Sequence, residues 1–166
     1  MIDVDKLTKE TLGKGGVLAL LYFDLHGSSK DMVQSLGVGF VDKILKEPGV
    51  VYALGEINEP LEKEKLFSTS LEVKLLAKDF ATLAKLCADH SPFSIEILRP
   101  DRLELPVEKA HELLVHLSNT TYEYKKYILE RVAKPEEAER YKQSLKNKLE
   151  IGRKLLQMKE GKKDGA

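Results

Sequence analysis

Only one cysteine, Cys87, occurs in 166 residues, so no intrachain disulfide can staple this chain. Cysteine poverty is the ordinary outcome in a reducing compartment, and a core of this size can stand without staples. No apolar run approaches the roughly 20 residues needed to cross a bilayer. A basic segment leading into an apolar stretch and a small-residue cleavage site is also missing. The expectation is a cytoplasmic protein with no membrane attachment. Neither sign of charge is in excess: 27 basic residues balance 27 acidic ones, which argues against general attraction to nucleic acid or anionic lipid. The balance is uneven, however, with ten basic against six acidic residues from Lys134 to Ala166 and seventeen against twenty-one before it.

What is present is a pattern of short elements. Residues before Lys14 read as a polar lead-in, and Gly15-Gly16 punctuates the entry to an apolar run, Val17 to Phe23, that ends in Asp24-Leu25-His26-Gly27-Ser28-Ser29. That run predicts a buried strand over about 17–25, opening through a loop into a helix capped by Ser28 or Ser29. Val33, Leu36, Phe40 and Ile44 recur at helical spacing, widened by Val41 and Leu45, until Pro48-Gly49 ends the helix. Gly37 and Gly39 inside it call for a packing reason, since each costs up to about 1 kcal/mol relative to alanine.

A strand from Val50 to Ile57, a charged hairpin connection and a strand from about Leu66 to Leu76 follow. In the latter, Leu71, Val73 and Leu75 alternate with Glu72 and Lys74, the period of a sheet packed on one face. Asp79 to Asp89 reads as a second helix, and Phe93, Ile95 and Ile97 mark a fourth strand. The order β-α-β-β-α-β predicts an α+β fold, a ferredoxin-like sandwich of four antiparallel strands and two helices, over 1–105. Beyond Pro106, Ala110, Leu114, Leu117, Thr121, Tyr124, Ile128 and Arg131 follow a 4-3 spacing, and Ala138, Tyr141, Leu145, Leu149, Gly152 and Leu156 repeat it. These stripes predict a C-terminal helical hairpin over 106–160, packed on the open sheet face or on a second subunit, with Tyr124 packed. A disordered tail is expected over 161–166.

The first hundred residues resemble the small-molecule-binding regulatory domains of the ACT and RAM type. The resemblance rests on Val17-Leu18-Ala19-Leu20-Leu21, on Glu47-Pro48-Gly49-Val50-Val51-Tyr52-Ala53-Leu54-Gly55 and on Leu71-Glu72-Val73-Lys74 leading into Asp79-Phe80-Ala81-Thr82-Leu83. It implies dimers or larger rings that hold amino acids or similar effectors between subunits. The chain departs from the RAM pattern after Gly55, at Glu56-Ile57-Asn58-Glu59, and has no helix-turn-helix ahead of the domain. A transcription-factor role is therefore not implied.

Asp24, His26, Gly27, Ser28 and Ser29 form the candidate ligand or anion site, because backbone N–H groups at a helix start, two hydroxyls and an imidazole can hold a carboxylate or phosphate. The bland alternative is a glycine turn with a serine cap. His111 and His116 stand at i, i+5 rather than the i, i+4 of the zinc-protease helix, which puts them on different faces, so no metal site and no cofactor is expected. Glu56, Asn58, Glu59, Glu62 and Glu64 lack the ordered spacing of a calcium loop and read as a solvated turn. Cys87 sits on an apolar helix side and reads as an inert packed thiol.

The leading functional expectation is a non-enzymatic, homo-oligomeric domain that binds a small anionic ligand. A small enzyme using His26 as base with Asp24 and a serine is the second reading. Nucleic-acid binding through the basic C-terminal helices is the third, and the strand Leu66-Phe67-Ser68-Thr69-Ser70-Leu71 lacks the basic-glycine-aromatic pattern of an RNA-stacking strand.

Overall fold

A computed structural model describes residues 3–63, 65–132 and 134–163, and divides into two compact units, Met1–Thr120 and Thr121–Ala166. The first unit contains α1 (Val4–Gly13), β1 (Val17–Gly27), α2 (Lys30–Leu45), β2 (Val50–Ile57), β3 (Leu61–Lys63), β4 (Leu66–Ala77), α3 (Phe80–His90) and β5 (Ser94–Arg99). It also takes the beginning of α4 (Val107–Val132), whose remainder belongs with α5 (Pro135–Lys163) to the second unit. Residues 164–166 of the expected tail lie outside the described residues.

The fold is α+β, with one five-stranded antiparallel sheet in the order β2-β4-β1-β5 and the short β3 added to β4. Strand alternation decides which residues meet. Val17, Ala19, Leu21 and Phe23 of β1 face the same side as Leu71, Val73 and Leu75 of β4, and all are buried. Ile44 of α2 and Leu83 and Leu86 of α3 close that core, where each fully buried aliphatic side chain contributes about 1.5–3 kcal/mol.

Helix α2 starts where Ser29 Oγ accepts from the Met32 N–H at 3.2 Å, with Asp31 complementing the positive end of the dipole. Its buried side is Val33, Gly37 and Ile44, with Phe40 and Val41 packed at the margin, whereas Leu36 and Leu45 are exposed. The expected apolar stripe is thus rotated onto a glycine. The reason is close approach: a Cβ at Gly37 would stand 2.5 Å from Ile57 Cδ1 and 3.1 Å from Leu25 Cδ1. Gly39 has open space, so the packing reason applies to Gly37 alone.

The lead-in before Lys14 is a helix. Asp3 caps it by accepting from the Lys6 N–H at 3.1 Å, and Leu7, Thr8, Thr11 and Leu12 make its half-buried side. Thr8 Oγ1 lies 3.1 Å from the Tyr52 hydroxyl, which places α1 on the sheet face opposite α2 and α3, where Leu18 and Leu76 are buried. The other end of that face is polar: Asp24, His26, Ser68, Ser70 and Glu72 stand there in register.

In the second unit, Leu129, Ala138, Tyr141, Leu145 and Gly152 are half-buried and no residue with a described side chain is fully buried. Tyr122, Leu129, Ala138, Tyr141 and Leu145 line a common cleft of about 300 Å3, so α5 meets this part of α4 through the expected α5 stripe. Tyr124, expected to be packed, is 52% exposed. The side of α4 turned to α5 runs through Tyr122, Lys126 and Leu129, and at about 100° per residue Tyr124 and Ile128 point roughly 150° away from it.

Candidate functional site

The expected loop at His26 is the end of a strand. The β1 ladder runs on through His26 opposite Ser68 and Gly27 opposite Phe67, because β4 begins early enough to pair with both. Asp24 and His26 share the polar, exposed sheet face. His26 Nδ1 lies 2.9 Å from Ser68 Oγ, Ser29 is engaged as the α2 cap, and the Ser28 hydroxyl donates to Met32 Sδ at 3.4 Å. Gly27 is buried, and a Cβ there would meet Val33 Cγ2 at 2.9 Å. Ser68, which the sequence reading did not single out, completes the polar row. The hydroxyls and imidazole are thus spread along a strand end and a helix cap.

A second constellation lies between α3 and the start of α4, in a cleft of about 310 Å3. Lys78 enters it from the turn after β4, Lys85 from α3, and Lys109 from the first turns of α4. Glu112 accepts from Lys109 at 3.1 Å and lies 3.6 Å from Lys85. The Lys109 ammonium, donating to it, holds the Glu112 carboxyl below its usual range, and Lys109 is raised in return. Asp79 caps α3, with Oδ1 accepting from both the Thr82 N–H and the Thr82 hydroxyl at 2.7 Å. Partial burial pushes the Asp79 carboxyl up, but those two bonds and the nearby Lys78 and Lys109 outweigh it and leave it lowered.

At the far end, His116 Nε2 is 2.9 Å from Asp89 Oδ1, and His90 Nε2 is 3.0 Å from Glu47 Oε1. Each carboxylate of the cleft therefore has a partner. Lys78 has no carboxylate within 4.0 Å among the described residues. Its stem lies over Gly49, where φ is +90° and a Cβ would stand 2.8 Å from Lys78 Cε. Only glycine suits that position.

His111 and His116 border one groove beside Lys85 and Val115, with His116 already turned to Asp89. Among the described residues no group of three or more His, Cys, Asp and Glu side chains stands close enough to hold a metal ion. Glu56 lies within β2, Asn58 and Glu59 in the β2–β3 turn and Glu62 within β3; Asn58 Nδ2 donates to Ser70 Oγ at 2.7 Å, while Glu64 lies outside the described residues. Burial pushes the Cys87 thiol up to about 11, which keeps it protonated and unreactive at neutral pH.

The model of the MJ0538 family matches residues 18–152. The chain belongs to the MJ0538 family. The matched span takes in the sheet, α2, α3, the whole of α4 and much of α5, and begins after α1. No curated protein and no solved structure matches the chain. No helix among the described residues is long and apolar enough to cross a membrane.

Proposed function

We propose that this MJ0538-family protein is a non-enzymatic, self-associating binding domain whose copies meet along α4. The strand order β2-β4-β1-β5, with α2 and α3 on one face, supports a ferredoxin-like sandwich of the ACT and RAM type, elaborated by α1 and β3. The observation that carries self-association is the apolar stripe of α4. Leu114, Leu117, Tyr124 and Ile128 are 65%, 39%, 52% and 55% exposed, and with Thr121 they keep a 4-3 spacing.

A repeat of 3.5 residues is what one helix needs to interlock with another of the same period. The second copy of α4 is therefore the partner that fits. The residues flanking the stripe support this: His111, Ser118, Thr120, Tyr127 and Val132 carry no fixed charge, and Lys125 alone does. Glu112, Glu123, Lys126 and Glu130 lie elsewhere on the helix. From Leu114 to Ile128 two copies can thus approach with little repulsion and little charge to desolvate, and the one charged residue of the stripe, Arg131 beyond that stretch, lies 5.3 Å from the centre of the Tyr127 ring.

Light scattering on the full chain tests the reading. The expected mass is twice 18.7 kDa or a higher multiple, and the double variant Tyr124→Lys, Ile128→Lys should fall to the monomer mass with its helical circular dichroism retained. In parallel, Thr121→Cys, at the middle of the stripe, should form an intermolecular disulfide under mild oxidation. A wild-type monomer at all accessible concentrations, or a double variant that keeps the wild-type mass, would overturn it.

A further inference from the structure

The sheet face opposite α2 and α3 holds α1 at one end, and beyond α1 each of β2, β4, β1 and β5 carries a carboxylate onto it. Glu56 of β2 stands opposite Glu72 of β4, Glu72 opposite Tyr22 of β1, and Glu96 of β5 opposite Leu20, with Asp24 two residues along from Tyr22. Lys74 is the strand cation among them, Arg99 at the α1 end is 3.2 Å from Asp101, and His26 adds at most one further positive charge. The face is acidic. Like charges set directly opposite on neighbouring strands repel, as Glu56 and Glu72 do here. Burial, and then Glu72 and Glu96, push the Tyr22 hydroxyl up, in keeping with carboxylates on both sides of that ring.

Helix α5 has the complementary pattern. From Arg140 to Lys154 it carries six basic residues, Arg140, Lys142, Lys146, Lys148, Arg153 and Lys154, against one acidic residue, Glu150. None of the six, and none of the four carboxylates of the sheet face, lies within 4.0 Å of an opposite charge among the described residues. At about 100° per residue, Lys142, Lys146, Leu149 and Arg153 fall on one flank within an arc of about 60°. That row is about 16 Å long, and three strand spacings set Glu56 and Glu96 about 14 Å apart across the sheet. Leu149 is 65% exposed, and Leu54 with the half-buried Leu20 and Tyr22 gives it an apolar middle to meet.

We propose that the open sheet face of one copy receives the basic flank of α5 from a second copy. Exposed ion pairs are individually weak, so this contact rests on the pairing along α4, which brings the copies together and raises their effective concentration. Two acidic faces repel each other, so sheet-on-sheet pairing is disfavoured and the helix is the fitting occupant.

Two charge-reversed variants test it by light scattering on dilution: Asp24→Lys with Glu56→Lys on the face, and Lys142→Glu with Lys146→Glu on α5, all four positions being exposed. Each variant alone sets like charges against each other and should dissociate at about tenfold higher concentration than the parent. An equal mixture of the two, in which each α5 again faces a sheet of opposite charge, should regain the parent's midpoint. The regain should fade at about 1 M salt, where screening acts within a few ångströms. Should either pair of changes unfold the chain by circular dichroism, Glu56→Lys and Lys146→Glu alone are mixed in the same way. Variants that keep the parent's midpoint, or a mixture no tighter than its components, overturn this contact while leaving the α4 dimer in place. A parent that is monomeric overturns the α4 reading and this contact together.

Discussion

His90 and Glu47 join the end of α3 to the segment that follows α2, Nε2 to Oε1 at 3.0 Å, with the imidazole side chain 5% exposed and set edge-on to Phe40 at 5.6 Å. Removing only the carboxylate leaves a buried ring nitrogen without its partner. Glu47→Ala is therefore expected to cost about 1–3 kcal/mol, while Glu47→Gln, which can keep a hydrogen bond, should stay within about 1 kcal/mol of the parent. Urea denaturation of the two variants checks the difference, and equal midpoints would show that the contact does not secure α3.

Two glycines in one helix make an internal comparison. An alanine at Gly39 meets open space and should stabilise α2 by up to about 1 kcal/mol through propensity alone. The same change at Gly37 drives a methyl into Ile57 and Leu25, and overpacking of this kind costs about 1–3 kcal/mol. Gly37→Ala should thus unfold at lower denaturant than the parent and Gly39→Ala at higher. The opposite order would mean that α2 is not seated on β2 as described.

Asp79 gives a pH signature. Because its folded carboxyl titrates below its ordinary range, the stabilisation it supplies is complete above that range and is lost as pH falls through the lowered value. Asp79→Ala should cost about 1 kcal/mol near neutral pH, the usual loss for an N-cap. The gap between parent and variant should narrow towards zero in acid. Paired denaturation curves from neutral pH down through the carboxylate range measure it, and a gap that does not change with pH would show that the charge of Asp79 does not act on α3.

Most of the sheet could be read in advance because alternation is a local property. Leu71, Val73 and Leu75 stand between Glu72 and Lys74, and burial follows that order. Helix α1 escaped notice because Leu7 and Leu12 are its only large apolar residues facing the sheet, although Asp3 placed three residues before Lys6 was a readable cap. The rotation of α2 from Leu36 to Gly37 depends on Ile57, twenty residues further on, which periodicity within one helix cannot register. The α3–α4 cleft was invisible for the same reason. Lys78, Lys85 and Lys109 each look like an ordinary solvated lysine, and only the packing of α4 beside α3 makes them neighbours.

Strand β5 ends the sheet on one side, with Phe93 just before it and Ile95 and Ile97 within it, 59%, 46% and 40% exposed. A longer strand of that composition would invite other chains to add themselves one after another. Here the strand is six residues long, Glu96 interrupts its apolar residues, and Pro100, which has no N–H to offer, follows Arg99 at once. The consequence is protection against open-ended, fibre-like growth, which leaves closed pairing through a helix as the safer way for copies of this chain to meet.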